Sequence, residues 1–300
     1  MKSKLVYWLT YAGMWLLALL PFRALYILSD GVCFLMRHVV HYRRKVVRKN
    51  LKNSFPEKSE AELREIEREF YRYICDYMLE EIKMMRMSFE DLSCRMEYGN
   101  TEEYLAMLEK HGGIVVLIPH YANFEWLTAM GAFMKPEDVP LQVYKPLRNK
   151  YMDEMFKIIR ARHGGYNVPK HSTAREVIRL RREGKHVVIG LITDQSPNRN
   201  EAHHWTTFLN QDTVFMDGGE RIARMMNYPV FYCELEKRGR GYCKAYFDLL
   251  TETPKQTAEG EITELFVRRL EQTIRRAPAY WFWSHKRWKL TREDLKKQHE

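Results

Sequence analysis

The sequence predicts an α/β fold, a mixed sheet flanked by helices, preceded by an N-terminal membrane-anchor helix. Three observations carry this reading. Residues 114–118 (IVVLI) and 187–192 (VVIGLI) are unbroken apolar runs, the texture of strands buried on both faces. Segments of helical periodicity alternate with them. The turn RGRG at 238–241 joins two strand-like segments into a hairpin, which makes the sheet mixed.

Taken in order, residues 5–22 form an uncharged stretch of 18 residues, just long enough to span a bilayer. Tyr7, Trp8, Tyr11 and Trp15 sit in it as interfacial side chains would. A second apolar run, 24–36, contains Asp30 and is too short to cross alone. Seven Lys or Arg and no acid follow between Arg37 and Lys52. If the first segment spans, this charge bias puts the remainder on the cytoplasmic side. If it lies flat, the same basic residues suit an anionic membrane surface. The division expected near Pro56 separates an anchor and basic segment (1–56) from a catalytic domain (57–300).

Residues 57–87 carry apolar side chains at helical spacing (Leu63, Ile66, Phe70, Ile74, Tyr77). From residue 100 onward the texture alternates. Helix 101–111 precedes strand 114–119, and helix 124–134 precedes a short strand 141–144. Helices 150–163 and 172–183 lead to strand 187–193. A helix near 218–227 leads to strands 229–236 and 242–250, and a helix at 260–276 follows.

Composition narrows the function classes. The net charge of +10 favours an acidic partner: anionic lipid, nucleic acid or an acidic protein. Five scattered cysteines with no C-x-x-C signal neither a disulfide framework nor a zinc site, and suit a reducing compartment. Neighbouring His203 and His204 point in different directions and have no evident third ligand, so no metal is expected.

The chemistry is expected where IVVLIPHYANFEW (114–126) leaves its strand. On one continuous helix His120 and Glu125 would diverge by about 140°. They meet only if His120 lies in the loop and the helix starts near Asn123, a good N-cap. Glu125 would then accept a hydrogen bond from one ring nitrogen of His120 and leave the other as a general base. Amides of the helix start would face a developing oxyanion. A second buried strand ends in Asp194-Gln195, and ligands of open α/β sheets bind beyond the carboxyl ends of strands, so both motifs are expected in one crevice. Lys145, Arg148 and Asn149 follow the short strand between them and suit a phosphorylated acceptor or a phosphopantetheine arm.

With these residues in view, the chain resembles the late acyltransferases of lipid A biosynthesis, within the wider lysophospholipid and glycerolipid acyltransferase group. The resemblance covers nearly the whole length. It rests on the N-terminal apolar segment, VRKNL (47–51), NSFPE (53–57), His120…Glu125, YKPL (144–147), TDQ (193–195) and YWFWSHKRW (280–288). The family usually has Arg where this chain has Lys145, and a lone ammonium does not reproduce a bidentate guanidinium contact. The stretch 198–205 (NRNEAHHW) is unusually polar.

The resemblance implies an enzyme of the bacterial inner membrane, its catalytic domain facing the cytoplasm. It would move an acyl chain from acyl carrier protein to a hydroxyl of a lipid A precursor, with His120 and Glu125 as the catalytic pair and no bound cofactor. Asn123, Lys145, Arg148, Asn149, Asp194 and Gln195 would contact substrate. A lysophospholipid or amino-acid lipid as acceptor is the alternative. A nucleic-acid-binding protein would explain charge and aromatics, but no nucleic-acid motif is present.

Overall fold

A computed structural model describes residues 2–147 and 149–296. The chain opens with α1 (Lys2–Leu19), α2 (Phe22–His38), α3 (Arg44–Ser54) and α4 (Glu60–Lys83). Among the described residues no helix is long and apolar enough to cross a membrane. The expected N-terminal anchor, the membrane-bound enzyme and the inner-membrane placement with a cytoplasmic catalytic domain are therefore corrected. The physical reason is local. Pro21 caps α2 and divides the apolar stretch into two helices, the second carrying Arg23 and Asp30. Both pack on α4: Lys83 donates to the carbonyls of Ala18 (2.9 Å) and Leu20 (2.8 Å), and Ser29 donates to Asp76 (2.6 Å). Arg240 joins Asp30 and Asp76 from the far hairpin. Helix α4 begins on a capping box formed by Ser59 and Glu62, which satisfies two otherwise unpaired donors.

The alternation then runs α5 (Phe89–Arg95), β1 (Met96–Gly99), α6 (Thr101–His111), β2 (Gly113–Ile118), β3 (Asp138–Tyr144), α7 (Lys150–Ala161), β4 (Tyr166–Pro169), α8 (Thr173–Arg182) and β5 (His186–Ile192). A small antiparallel pair, β6 (His204–Phe208) and β7 (Gln211–Phe215), stands apart from the main sheet. The chain continues through α9 (Gly218–Met226), β8 (Val230–Gly239), β9 (Tyr242–Thr251), α10 (Glu261–Arg276) and α11 (Arg292–Lys296). The seven-stranded sheet has the order β1-β9-β8-β2-β5-β3-β4. Only the β8–β9 hairpin pairs antiparallel, so the expected mixed sheet flanked by helices is what forms. Every residue of β2 is buried, as its unbroken apolar run requires.

The parallel register of β2 and β5 sets the site. Ile118 lies opposite Ile192, so residues two positions beyond each strand end also fall side by side. Those residues are His120 and Asp194.

Candidate active site

Asp194, not Glu125, holds His120. The Nδ1 of His120 lies 2.5 Å from Asp194 Oδ1, and the His120 backbone amide donates to Oδ2 (3.0 Å). Trp281 Nε1 donates a third hydrogen bond to Oδ2, at 2.7 Å. Asp194 is fully buried. Burial alone would push its carboxyl up, but the charge of His120 and the hydrogen bonds from His120 and Trp281 outweigh it, holding the group below the usual carboxylate range. An ionised Asp194 accepts Nδ1–H and leaves the lone pair on Nε2. Gln195 Nε2 lies 3.0 Å from that nitrogen, on the side where a substrate hydroxyl would approach. Phe124 and Phe282 flank the ring with centroids at 5.0 and 5.5 Å, shielding it from water.

The expected contact between Glu125 and His120 is not made. Ala122 takes a left-handed conformation (φ 48°), and Asn123 donates its side-chain amide to Glu80 (2.8 Å) instead of capping a helix. The segment Phe124–Ala132 winds as a 3₁₀ helix, and Glu125 in its first turn meets α7. There Arg160 grips it through two hydrogen bonds, Nε to Oε2 at 2.8 Å and Nη2 to Oε1 at 2.5 Å. Glu81 sits behind the pair with Oε1 unpartnered. Burial, with the charge of Glu125 beside it, pushes the Glu81 carboxyl well above the usual range. Arg160→Met should cost about 1–3 kcal/mol of stability, because it leaves the part-buried Glu125 without a counter-charge. Glu125→Gln in the same chain should recover part of that loss, which urea denaturation of the single and double variants measures.

The other expected contacts separate. Lys145 and Gln195 line a cleft of about 1050 Å³ that also holds His120, Glu125 and Arg160. Its floor is apolar, with Val116 and Ile118 from β2, Leu141 from β3, and Val188 and Leu191 from β5. Asn149 is a helix cap, accepting from the amides of Tyr151 (3.0 Å) and Met152 (3.4 Å). Arg148 lies outside the described residues. The amide of His120 is committed to Asp194, so it does not serve as an oxyanion donor.

The closing aromatic segment, for which the resemblance favours a place near the active-site rim, folds over the site and brings Trp281 onto Asp194. Tyr121 bridges to Trp281, and the Ala122 amide donates to the Tyr280 carbonyl at 2.9 Å. Asn50 ties the segment down, donating to the carbonyls of Trp283 (2.8 Å) and His285 (2.9 Å). The motifs at 47–51 and 280–288 thus meet in space. His285 Nε2 accepts from the Ser196 amide (3.2 Å), which fixes the loop carrying Asp194 and Gln195. Burial pushes the His285 imidazole from its ordinary 6.5 down to about 4. The fold holds its neutral form. The stability it contributes is therefore complete above pH 6.5 and lost as the pH falls toward 4. His285→Gln, which keeps an acceptor, should flatten the thermal midpoint across that window.

An imidazole held by a buried carboxylate at the carboxyl ends of two central parallel strands, facing an apolar cleft, suits a transferase that activates its substrate's hydroxyl. Comparison with known proteins makes the class specific. Residues 1–290 match the family model of the bacterial lipid A biosynthesis acyltransferases, and the chain belongs to that family. It is an acyltransferase. It is also similar to the lipid A biosynthesis lauroyltransferase of Escherichia coli (strain K12), with 22% identity over 295 residues covering 96% of this chain and 94% of the relative.

Proposed function

We propose that the protein transfers a fatty acyl chain from acyl carrier protein to a hydroxyl of a lipid A precursor, with His120 as the general base and Asp194 as the group that orients it. The observation that carries this reading is the 2.5 Å contact from His120 Nδ1 to Asp194 beside the apolar cleft. Nε2, once the substrate hydroxyl replaces Gln195 at that nitrogen, takes the proton of the acceptor hydroxyl as its oxygen attacks the thioester carbonyl. The tetrahedral intermediate collapses, the C–S bond breaks, and the protonated His120 returns the proton to the departing thiolate. The cleft lies just above the ~300–1,000 Å³ usual for small-molecule sites, and its apolar floor suits an acyl chain. Glu125 and Arg160 form a charged wall of the same cleft, and Lys145 is offered to an anionic part of either substrate.

The basic character of the chain supports an acidic carrier protein as partner. Exposed Trp8, Leu9 and Leu16 on α1, and Ile27, Phe34 and Leu35 on α2, with the basic run that follows, support contact with the anionic lipid surface that holds the acceptor. The test is an assay with acyl carrier protein thioester and a tetra-acylated lipid A precursor. A mass gain of one acyl chain that requires His120 is the expected result. Transfer to a lysophospholipid alone would reassign the acceptor, and no transfer to either lipid would refute the reading.

A further inference from the structure

We propose that the mouth of the cleft is a phosphate-ester site, in which Glu201 occupies the place of the ligand's anionic group until that group arrives. The inference rests on the acyl-transfer reading of the cleft and names the substrate chemistry its mouth selects. Lys145 follows β3, Lys170 and His171 open the 3₁₀ turn after β4, and Glu201 ends the 3₁₀ turn Arg199–Glu201 after β5. All four line the cleft. Lys170 Nζ lies 2.7 Å from Glu201 Oε1, bridging the loops that follow β4 and β5. Burial works against ionisation of Glu201, but the hydrogen bond and charge of Lys170, with the charge of Lys145, hold its carboxyl below the usual range. One ammonium, Lys170, is paired with Glu201, and a second, Lys145, lines the same cleft.

The charges do not balance. Among the described residues Lys145 and His171 make no hydrogen bond or ion pair. The remaining acids of the lining are engaged elsewhere: Glu125 by Arg160, and Asp153 by Lys157 and the Leu147 amide. The Lys170–Glu201 pair is itself partly exposed, at 44% and 34%, and such a pair is weak and readily exchanged. A phosphate ester brings more acceptor oxygens than a carboxylate and, as a monoester, nearly twice the charge. It can engage Lys145, Lys170 and His171 together, so it displaces Glu201. The same chemistry is available from a phosphorylated acceptor and from the phosphodiester of a phosphopantetheine arm.

Exchange of this kind gives two substitutions opposite signs. Calorimetric titration of the full-length protein with inorganic phosphate at fixed ionic strength should show Glu201→Gln binding about fivefold more tightly than wild type, the size of one exposed ion pair. Lys170→Gln should bind more weakly, and so should Lys145→Gln, which removes no side-chain hydrogen bond or ion pair found among the described residues. In steady-state transfer the changes should fall on KM rather than kcat. A KM shift for the acceptor assigns the phosphate to the acceptor, and a shift for the thioester donor assigns it to the carrier arm; either supports the site. Weaker phosphate binding by Glu201→Gln, or phosphate binding unaffected by all three substitutions, would overturn it. Absence of transfer by the wild type would remove the reaction while the phosphate titration still judged the site.

Discussion

Asp194→Asn is expected to lower the acyl-transfer rate by about 10²–10⁴-fold while the protein stays folded. Asp194 accepts three hydrogen bonds, two on Oδ2 from the His120 amide and Trp281, and one on Oδ1 from the His120 ring. Asparagine has one acceptor oxygen. Placed where it satisfies the two amide-type donors, it turns its NH₂ toward Nδ1. The imidazole must then carry its proton on Nε2, where the base is needed. Turnover measured beside the urea midpoint separates this loss from unfolding, and a wild-type rate would leave Asp194 only a structural part. The carboxyl is held below its ordinary 3.8, so its stabilising contribution is present above that value and lost as the pH falls through the depressed one. The activity of the wild type near neutrality therefore does not follow titration of Asp194.

His120→Ala is expected to have an effect of at least the same size, about 10²–10⁴-fold, because among the described residues no other imidazole hydrogen-bonds to Asp194. The alanine also leaves Asp194 Oδ1 without its donor, at a cost of about 1–3 kcal/mol. His120→Asn is the companion variant. Its amide can still donate to Asp194, yet it has no basic nitrogen, so it should keep the stability and lose the rate. Retained transfer by the asparagine variant would reassign the base.

The parts of this site that sequence made legible are those governed by local pattern. The buried runs at 114–118 and 187–192 announced β2 and β5, and their polar ends announced a shared crevice. What the pattern did not reveal was which carboxylate meets His120. Glu125 is five positions away and conspicuous, whereas Asp194 is 74 positions away and is brought close by strand register. A signal was present, since each residue lies two positions beyond its strand end. It becomes decisive only once Ile118 and Ile192 are known to be partners.

The N-terminus misled for a related reason. Hydropathy over residues 5–22 resembles a span; the break at Pro21 is local, but the packing of the two helices on α4 depends on tertiary partners. The edge strands β1 and β4 are four residues each, too short to carry a readable period. Arg160 gave no local cue at all. It lies 35 residues beyond Glu125, within the amphipathic face of α7.

The most direct test of the His120–Asp194 pair is ¹⁵N NMR of the histidine imidazoles near neutral pH in wild type, Asp194→Asn and Glu125→Gln. His120 should carry its proton on Nδ1 in the wild type and in Glu125→Gln, and lose that tautomer in Asp194→Asn. A His120 signal that changes in Glu125→Gln and is untouched in Asp194→Asn would contradict the pairing and return the orienting role to Glu125.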